Sequence, residues 1–399
     1  MREDIGQKAT SLVIYNGEVV SPSECYHGGV VLRRRRIEGV FRGDRRPALS
    51  AGTAGFIDAA GGWIVPGFID LHLHGACGID FNHAGVEEVL QAARFHAAGG
   101  VTALLPAVMT DAWPRMIRAV KVIRQAKLNA AGPEILGVHL EGPFISLAYK
   151  GAHPEEHLSL PTSQQMEEII DIAGRDLSMI TLAPELPHAL DAVSYFSRKG
   201  VVTALGHSGA SYEQVRQAIS QGLAYAVHTF SAMTGFHHRA PGALGAVLTS
   251  DELSAELIAD GVHTHPAAMK LLYRAKGYDR VVLASDSSPA AGYAKGEILM
   301  AGRKVMVREG APRLADGTLA GSNLTMNRAL AGAVLMAGIP FDKAVASATL
   351  NPARVLGIDS RKGSLSVGKD ADVVVMNRSF EVLITIGKGT ILYNRADQF

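Results

Sequence analysis

The chain has 399 residues, of which 47% are hydrophobic and 19% charged, and this composition predicts a soluble globular protein with a large buried core. Its 39 basic and 38 acidic side chains give a net charge of +1, which argues against nucleic acid or a membrane surface as a partner. Two distant cysteines exclude a disulfide framework, and neither a signal-peptide pattern nor a transmembrane run is found, so we expect a cytoplasmic protein.

Both ends of the chain carry β patterns. The predicted strands are 11–20, taken as a hairpin with Asn16-Gly17 at its turn, then 29–32, 37–41 and several short strands within 363–392. We expect one small β-sandwich domain that combines residues 1–60 with residues 359–399.

The middle of the chain, residues 61–358, alternates strand and helix patterns. Eight strands are predicted at 63–74, 101–107, 135–141, 179–184, 201–207, 224–230, 254–260 and 281–286. Helices are predicted at 86–98, 115–130, 163–172, 189–199, 212–221, 266–275, 324–337, 342–349 and 351–356, with a hairpin insertion within 287–321. Such alternation indicates parallel strands joined by right-handed crossovers, and eight units close into a TIM-like (β/α)₈ barrel.

Six polar residues lie at the ends of five of these strands, and in such a barrel these ends meet at one rim. They are His72, His74, Glu141, His207, His228 and Asp286. A hydrogen-bonded structural histidine would explain any one of them, but a divalent cation offsets the desolvation of all of them together. Nitrogen and oxygen ligands without sulfur fit zinc, iron, cobalt or manganese.

Eight short segments carry a resemblance to a known family. They are PGFIDLHLHG (66–75), GVHLEGPFIS (137–146), GAH (151–153), GHSGA (206–210), HTFSAM (228–233), HRAPGALG (238–245), IADGVH (258–263) and LASDSSPAAG (283–292). Together they resemble the N-acetylglucosamine-6-phosphate deacetylases of the amidohydrolase superfamily, from about residue 60 to Pro352. The first segment marks only the superfamily, whereas HLEGPF, GAH and HTFSAM are more specific.

The resemblance implies one or two divalent metal ions per subunit, with zinc favoured. Glu141, His207 and His228 would hold the principal ion, and His72 and His74 a second one. The other implied roles are Asp286 as general acid and base, His153 as the group that polarises the acetyl carbonyl, and Arg239, His263, Ser231, Ala232 and Ser322 as substrate contacts.

The family resemblance also implies a homodimer in which Arg239 can act across the interface. Family members usually have asparagine where this chain has Ser231, a position expected near the phosphate. This departure bears directly on the preference for a phosphorylated sugar.

The expected reaction is hydrolysis of N-acetyl-D-glucosamine 6-phosphate to glucosamine 6-phosphate and acetate, with a metal-bound hydroxide as nucleophile. One alternative is an amidohydrolase that deacetylates another N-acylated sugar or an amino acid. An alternative from another class is an inactive barrel that serves as a binding or scaffold protein.

Overall fold

The computed structural model describes residues 11–21, 24–43, 54–129, 132–293, 296–308 and 310–398. Its largest element is a barrel of eight parallel strands that pair in chain order, at Phe68–Leu73, Val101–Met109, Val138–Glu141, Leu177–Leu182, Val202–Leu205, Leu223–Ala226, Ser254–Leu257 and Val281–Leu283. Hydrogen bonds from Asp286 N to His72 O (2.9 Å) and from His74 N to Ser287 O (2.6 Å) close the barrel between its eighth and first strands. The prediction of a (β/α)₈ barrel is confirmed.

Helices surround the barrel, at Val86–Ala97, Trp113–Leu128, Ser163–Ala173, Ala189–Arg198, Tyr212–Ser220, Gly242–Thr249, Pro266–Lys276, Met326–Leu335, Phe341–Ala348 and Leu350–Val355. Outward-facing strand residues such as Val138 and Leu140 pack with the helices in one large core. Because side chains alternate along a strand, His139 and Glu141 point into the barrel. The sequence patterns missed the helix Gly242–Thr249, whose two glycines weaken the helical signal.

Strands from both ends of the chain form one sheet, as predicted. They lie at Ser11–Val20, Cys25–Arg33, Arg36–Arg42, Ala54–Asp58, Trp63–Pro66, Val373–Met376, Val382–Gly387 and Thr390–Asn394. The strand Trp63–Pro66 lies just past the seam that the sequence predicts at residue 60.

The predicted hairpin turn at Asn16-Gly17 is wrong. The strand Ser11–Val20 runs through these residues and pairs along its length with Cys25–Arg33. The pairing register shifts between Ile14 and Gly17, and Asn16 has a φ of 56°, so the Asn-Gly pair forms an irregularity within the strand.

An insertion follows the eighth barrel strand and packs over the carboxyl rim. Where the sequence predicts a hairpin within 287–321, the structure has three antiparallel strands, at Glu297–Met300, Arg303–Arg308 and Ala311–Arg313. Ile298 and Met300 of the insertion pack against Met109, which ends the second barrel strand. Across the described ranges, every helix is too short or too polar to traverse a bilayer.

Candidate metal centre

Three of the predicted site residues lie just beyond the carboxyl ends of barrel strands. His207, His228 and Asp286 follow the fifth, sixth and eighth strands, with φ angles of 50°, 29° and 47°. Such φ values are uncommon outside glycine, cost about 1–3 kcal/mol each and cluster at functional sites. The backbone at these turns is therefore held in an unfavourable conformation that directs the three side chains towards one point.

Glu141 lies at the centre of a buried cluster of imidazoles. The Nε2 atoms that surround its two carboxylate oxygens belong to His207 and His228 (3.2 Å each), His72 (3.3 Å), His74 and His153 (3.4 Å each). All six residues are buried. The structure thus brings together the residues that the sequence proposes as metal ligands.

The spacing of these atoms fits a bound cation. Nε2 of His207 lies 3.1 Å from Nε2 of His228, and the Nδ1 of His207 donates to the carbonyl oxygen of Tyr149 at 2.9 Å. When the ring of His207 is neutral, this bond leaves the lone pair on Nε2, where it faces a second ring nitrogen. Ligand atoms at about 2.0–2.2 Å from a tetrahedral ion are roughly 3.3–3.5 Å apart, close to the distances found here.

A buried nitrogen without a partner supports the same interpretation. Nε2 of His72 is fully enclosed but makes no hydrogen bond. The ligand atoms of His72, His74 and Glu141 lie within 4.8 Å of one another. The same holds for the ligand atoms of Glu141, His153 and His207. A divalent cation would satisfy this set of nitrogen and oxygen donors.

Burial and the surrounding charges set the protonation states of Glu141 and His153. Burial alone would raise the pKa of Glu141, but the imidazoles of His72 and His153 outweigh it and hold that pKa well below its usual range. Burial, reinforced by His207, lowers the pKa of His153 to about 4. At neutral pH Glu141 is therefore a carboxylate and His153 is a neutral imidazole.

Asp286 lies at the edge of the same cluster. Its Oδ1 is 3.3 Å from Nε2 of His74 and 3.9 Å from Nε2 of His72. Burial alone would raise its pKa, but the hydrogen bond from His74 and the charges of His72 and His74 lower it to about 2. Asp286 is therefore ionised at neutral pH and able to accept a proton.

The cluster opens into a cavity of about 510 Å³. Its walls include Ser231, Ala232 and His263 on the barrel side and residues 317–319 on the insertion side. The Nδ1 of His263 donates to Asp260 at 2.6 Å, and His263 lines the cavity. The volume is in the range of small-molecule sites.

Two predicted substrate contacts lie outside the walls of this cavity. The hydroxyl of Ser322 donates to the carbonyl oxygen of Ser285 at 2.6 Å, and its backbone N–H donates to the carbonyl oxygen of Asp286 at 2.7 Å. Ser322 thus supports the turn that carries Asp286. Arg239 is exposed, and its guanidinium contacts His238 at 2.8 Å.

Sequence reasoning missed three residues of the site. Glu256 is fully buried in the seventh strand and accepts from the Nδ1 of His72 at 2.9 Å. His139 packs against the ring of His72 and bonds the hydroxyl of Thr181 at 2.8 Å. Arg313 of the insertion lines the cavity, and its Nε is buried without a hydrogen-bond partner. A lone acid between Ala255 and Leu257 in an apolar strand was the available signal for Glu256.

An eight-stranded barrel with histidines and carboxylates converging at its carboxyl rim defines the class of enzymes that use a divalent metal ion at this position. The sequence profile of the amidohydrolase family matches residues 63–392. The chain belongs to that family, among the N-acetylglucosamine-6-phosphate deacetylases, and is a hydrolase that acts on amide bonds.

Individual relatives show how close this similarity is. The chain is 34% identical over 339 residues to the N-acetylglucosamine-6-phosphate deacetylase of Lysinibacillus sphaericus, covering 84% of this chain and 87% of the relative. It is 37% identical over 320 residues to the N-acetylgalactosamine-6-phosphate deacetylase of Escherichia coli O157:H7, covering 80% and 85%. The chain also superposes on a variant of the Mycobacterium smegmatis N-acetyl-D-glucosamine-6-phosphate deacetylase that was solved in complex with N-acetyl-D-glucosamine 6-phosphate. The TM-score is 0.89 at 30% identity, and the match covers 97% of this chain and 100% of the other.

Proposed function

We propose that the chain hydrolyses N-acetyl-D-glucosamine 6-phosphate to D-glucosamine 6-phosphate and acetate. The observation that carries this proposal is the cavity that joins the cluster around Glu141 to the wall containing His263 and Ser231. One end of it suits the acetamide, and the other offers polar groups to a phosphate. The names of the relatives support the same substrate.

Five residues would hold the divalent metal ion. We assign Glu141, His207 and His228 to the principal ion, and His72 and His74 to a second ion where two are bound. Zinc is the favoured metal for this nitrogen and oxygen donor set. When bound, the ion supplies Lewis acidity and a water molecule that is activated near neutral pH.

Asp286 moves the proton in the proposed reaction. As a carboxylate, it accepts a proton from the attacking water while the new carbon–oxygen bond forms at the acetyl carbon. It then donates that proton to the amide nitrogen as the carbon–nitrogen bond breaks. The products are acetate and a free amine, and Asp286 returns to its carboxylate form.

His153 would stabilise the negative charge that develops on the acetyl oxygen. Its ring is neutral at pH 7, and its Nδ1 is buried without a hydrogen-bond partner. Its Nε2 lies 3.4 Å from Oε2 of Glu141, and His153 lines the cavity. A neutral imidazole carries one N–H, and this N–H would donate to the carbonyl oxygen.

The phosphate would bind at the opposite wall. His263, which is hydrogen-bonded to Asp260, lines this wall, and Ser231 and Ala232 offer a hydroxyl and backbone groups. Arg239 is exposed and outside the cavity wall, so we propose that it reaches the phosphate of a second copy in a homodimer. A guanidinium provides the paired donors that match phosphate oxygens.

N-acetyl-D-galactosamine 6-phosphate is the second candidate substrate. The relative from Escherichia coli O157:H7 that carries this activity in its name is 37% identical to the chain. The two sugars differ only in the configuration of one hydroxyl group, so the same metal ligands and the same proton transfer serve both reactions.

Acetate release from four compounds tests the proposal. The assay compares N-acetylglucosamine 6-phosphate, N-acetylgalactosamine 6-phosphate, unphosphorylated N-acetylglucosamine and an N-acetylated amino acid at equal enzyme concentration. We expect the highest kcat/KM for the first compound and a far lower value for the unphosphorylated sugar. Equal rates with and without phosphate would reject the phosphate site, and no release from any compound would favour the inactive scaffold.

A further inference from the structure

Glu256 is a buried acid inside the barrel that the proposed reaction does not use. It lies on the seventh strand, and its side chain is 0% exposed. A carboxylate in such a place is strongly destabilising unless hydrogen-bond donors surround it. The contacts of Glu256 therefore indicate what this acid does.

Three donors satisfy the carboxylate. Oε1 accepts from Nδ1 of His72 at 2.9 Å and from the backbone N–H of His228 at 2.9 Å. Oε2 accepts from the hydroxyl of Tyr225 at 3.0 Å. Two of these three donors belong to proposed metal ligands, one through its ring and one through its backbone.

The bond to His72 decides which ring nitrogen is available to a cation. The Nδ1 of His72 faces Oε1 of Glu256, and a histidine must be neutral to bind a metal, so a ring that donates to Glu256 through Nδ1 keeps its lone pair for the metal on Nε2. Nε2 of His72 then carries the lone pair, and it lies 3.3 Å from Oε1 of Glu141 without a hydrogen bond of its own. Acids placed behind ligating histidines fix their tautomer and orientation in this manner.

The bond to His228 acts on the backbone. His228 has a φ of 29°, which is unfavourable for a residue with a side chain. Its N–H and the neighbouring Thr229 N–H both bond to Glu256, one to the carboxylate at 2.9 Å and one to the carbonyl oxygen at 3.0 Å. Glu256 therefore holds the strained turn as well as the ring of His72.

We propose that Glu256 is a positioning residue for the metal centre, which sets the tautomer of His72 and the turn of His228 so that both rings present Nε2 to the metal centre around Glu141. The inference rests on the proposed metal site. Residues of this kind are worth about 10–100-fold in metal affinity. Substitution of Glu256 should therefore lower the metal affinity, and this effect can be measured without an activity assay.

Competition with a chromophoric chelator, using zinc and metal-depleted protein, tests the inference. Glu256→Met should weaken zinc binding by about 10–100-fold. Glu256→Gln keeps an acceptor for His72 and His228 and can donate to Tyr225, so it should restore most of the affinity. Asp372→Asn is the control and should leave the zinc affinity unchanged, because Asp372 is also buried but bonds Lys362 and the backbone N–H of Lys388, neither of which is a proposed metal ligand.

A double-mutant cycle shows whether Glu256 acts through His72. With His72→Ala already present, Glu256→Met should lower the zinc affinity much less than it does in the original chain. If Glu256→Met gives no cooperative thermal transition, Glu256→Asp, which withdraws the carboxylate by one methylene, takes its place with the same expected direction.

The outcomes separate two kinds of failure. Unchanged zinc affinity in the Glu256 variants would overturn the positioning role, and an equal loss with and without His72 would overturn its action through the tautomer of His72. A parent protein that binds no zinc, manganese, cobalt or iron would instead overturn the metal centre on which the proposed function depends.

Discussion

Glu134→Gln is predicted to loosen the connection between the barrel and the terminal sheet. Glu134 begins the segment that leads into the third barrel strand, and it binds three cations from the C-terminal part of the chain. Arg361 contacts both of its oxygens, at 2.9 and 3.1 Å, Lys362 lies at 2.8 Å and Lys388 at 2.9 Å. Lys388 lies in the turn between the last two strands of the sheet, so the ion cluster joins the two structural units.

The expected loss of folding stability follows from the pKa of Glu134. Burial alone would raise this pKa, but Arg361 and Lys362 outweigh it and lower it from 4.5 to about 2. The difference of about 2.5 pKa units corresponds to about 3 kcal/mol at neutral pH, similar to the cost of breaking a buried ion pair. With an unfolding entropy of about 2.1 cal/mol/K per residue, this loss lowers Tm by roughly 4 °C.

The pH dependence has a definite sign. The pKa of Glu134 is lower in the folded state, so its stabilisation is complete above the unfolded value near 4.5 and disappears as the pH falls through about 2. Thermal unfolding of both proteins followed by circular dichroism should show a constant Tm gap between pH 8 and about pH 5. The gap should narrow on further acidification.

Glu381→Gln is the matched control for this experiment. Glu381 also contacts both terminal nitrogens of one arginine, Arg395, but on the surface. Because exposed ion pairs are screened by solvent, its Tm should change by no more than about 1 °C. A Glu134→Gln protein with the parent Tm at pH 7, or with a Tm gap at pH 3 that is as wide as the gap at pH 7, would refute the reasoning.

Three further predictions concern the site. Asp286→Asn should retain bound metal by elemental analysis while kcat falls by roughly 10²–10⁴-fold, and near-normal turnover would remove Asp286 from the proton transfer. Arg239→Ala should have a raised KM for the phosphorylated sugar. If Arg239 acts across a dimer, mixing this variant with Asp286→Asn under subunit exchange should restore activity. If the arginine acts within its own subunit, mixing should give no gain in activity. Ser231→Asn should increase the ratio of kcat/KM for phosphorylated over plain N-acetylglucosamine, and an unchanged ratio would separate this position from phosphate recognition.

The alternation of strands and helices made the barrel predictable, because a periodic pattern survives small errors at the ends of elements. The convergence of Glu141, His207 and His228 followed from the rule that the carboxyl ends of barrel strands share one rim. The Asn16-Gly17 turn failed because the same dipeptide also suits a positive φ inside a strand. Local sequence does not distinguish these two uses.

Other parts of the site depend on contacts between distant residues. Glu256 and His72 are separated by 184 positions, and only the closed barrel brings the carboxylate to the ring. Arg313 reaches the cavity because the insertion packs over the rim, a placement that its own strand pattern does not specify. The sequence pattern also does not predict that Arg239 is exposed.

Diffraction from crystals of active protein, recorded at the absorption edge of the bound metal, tests the metal centre most directly. The arrangement of Glu141, His207 and His228 predicts an anomalous peak about 2.0–2.2 Å from one oxygen of the first and from Nε2 of the other two. Fully active crystals with no peak at this position, or with the ion bound elsewhere, would contradict the assignment of the site.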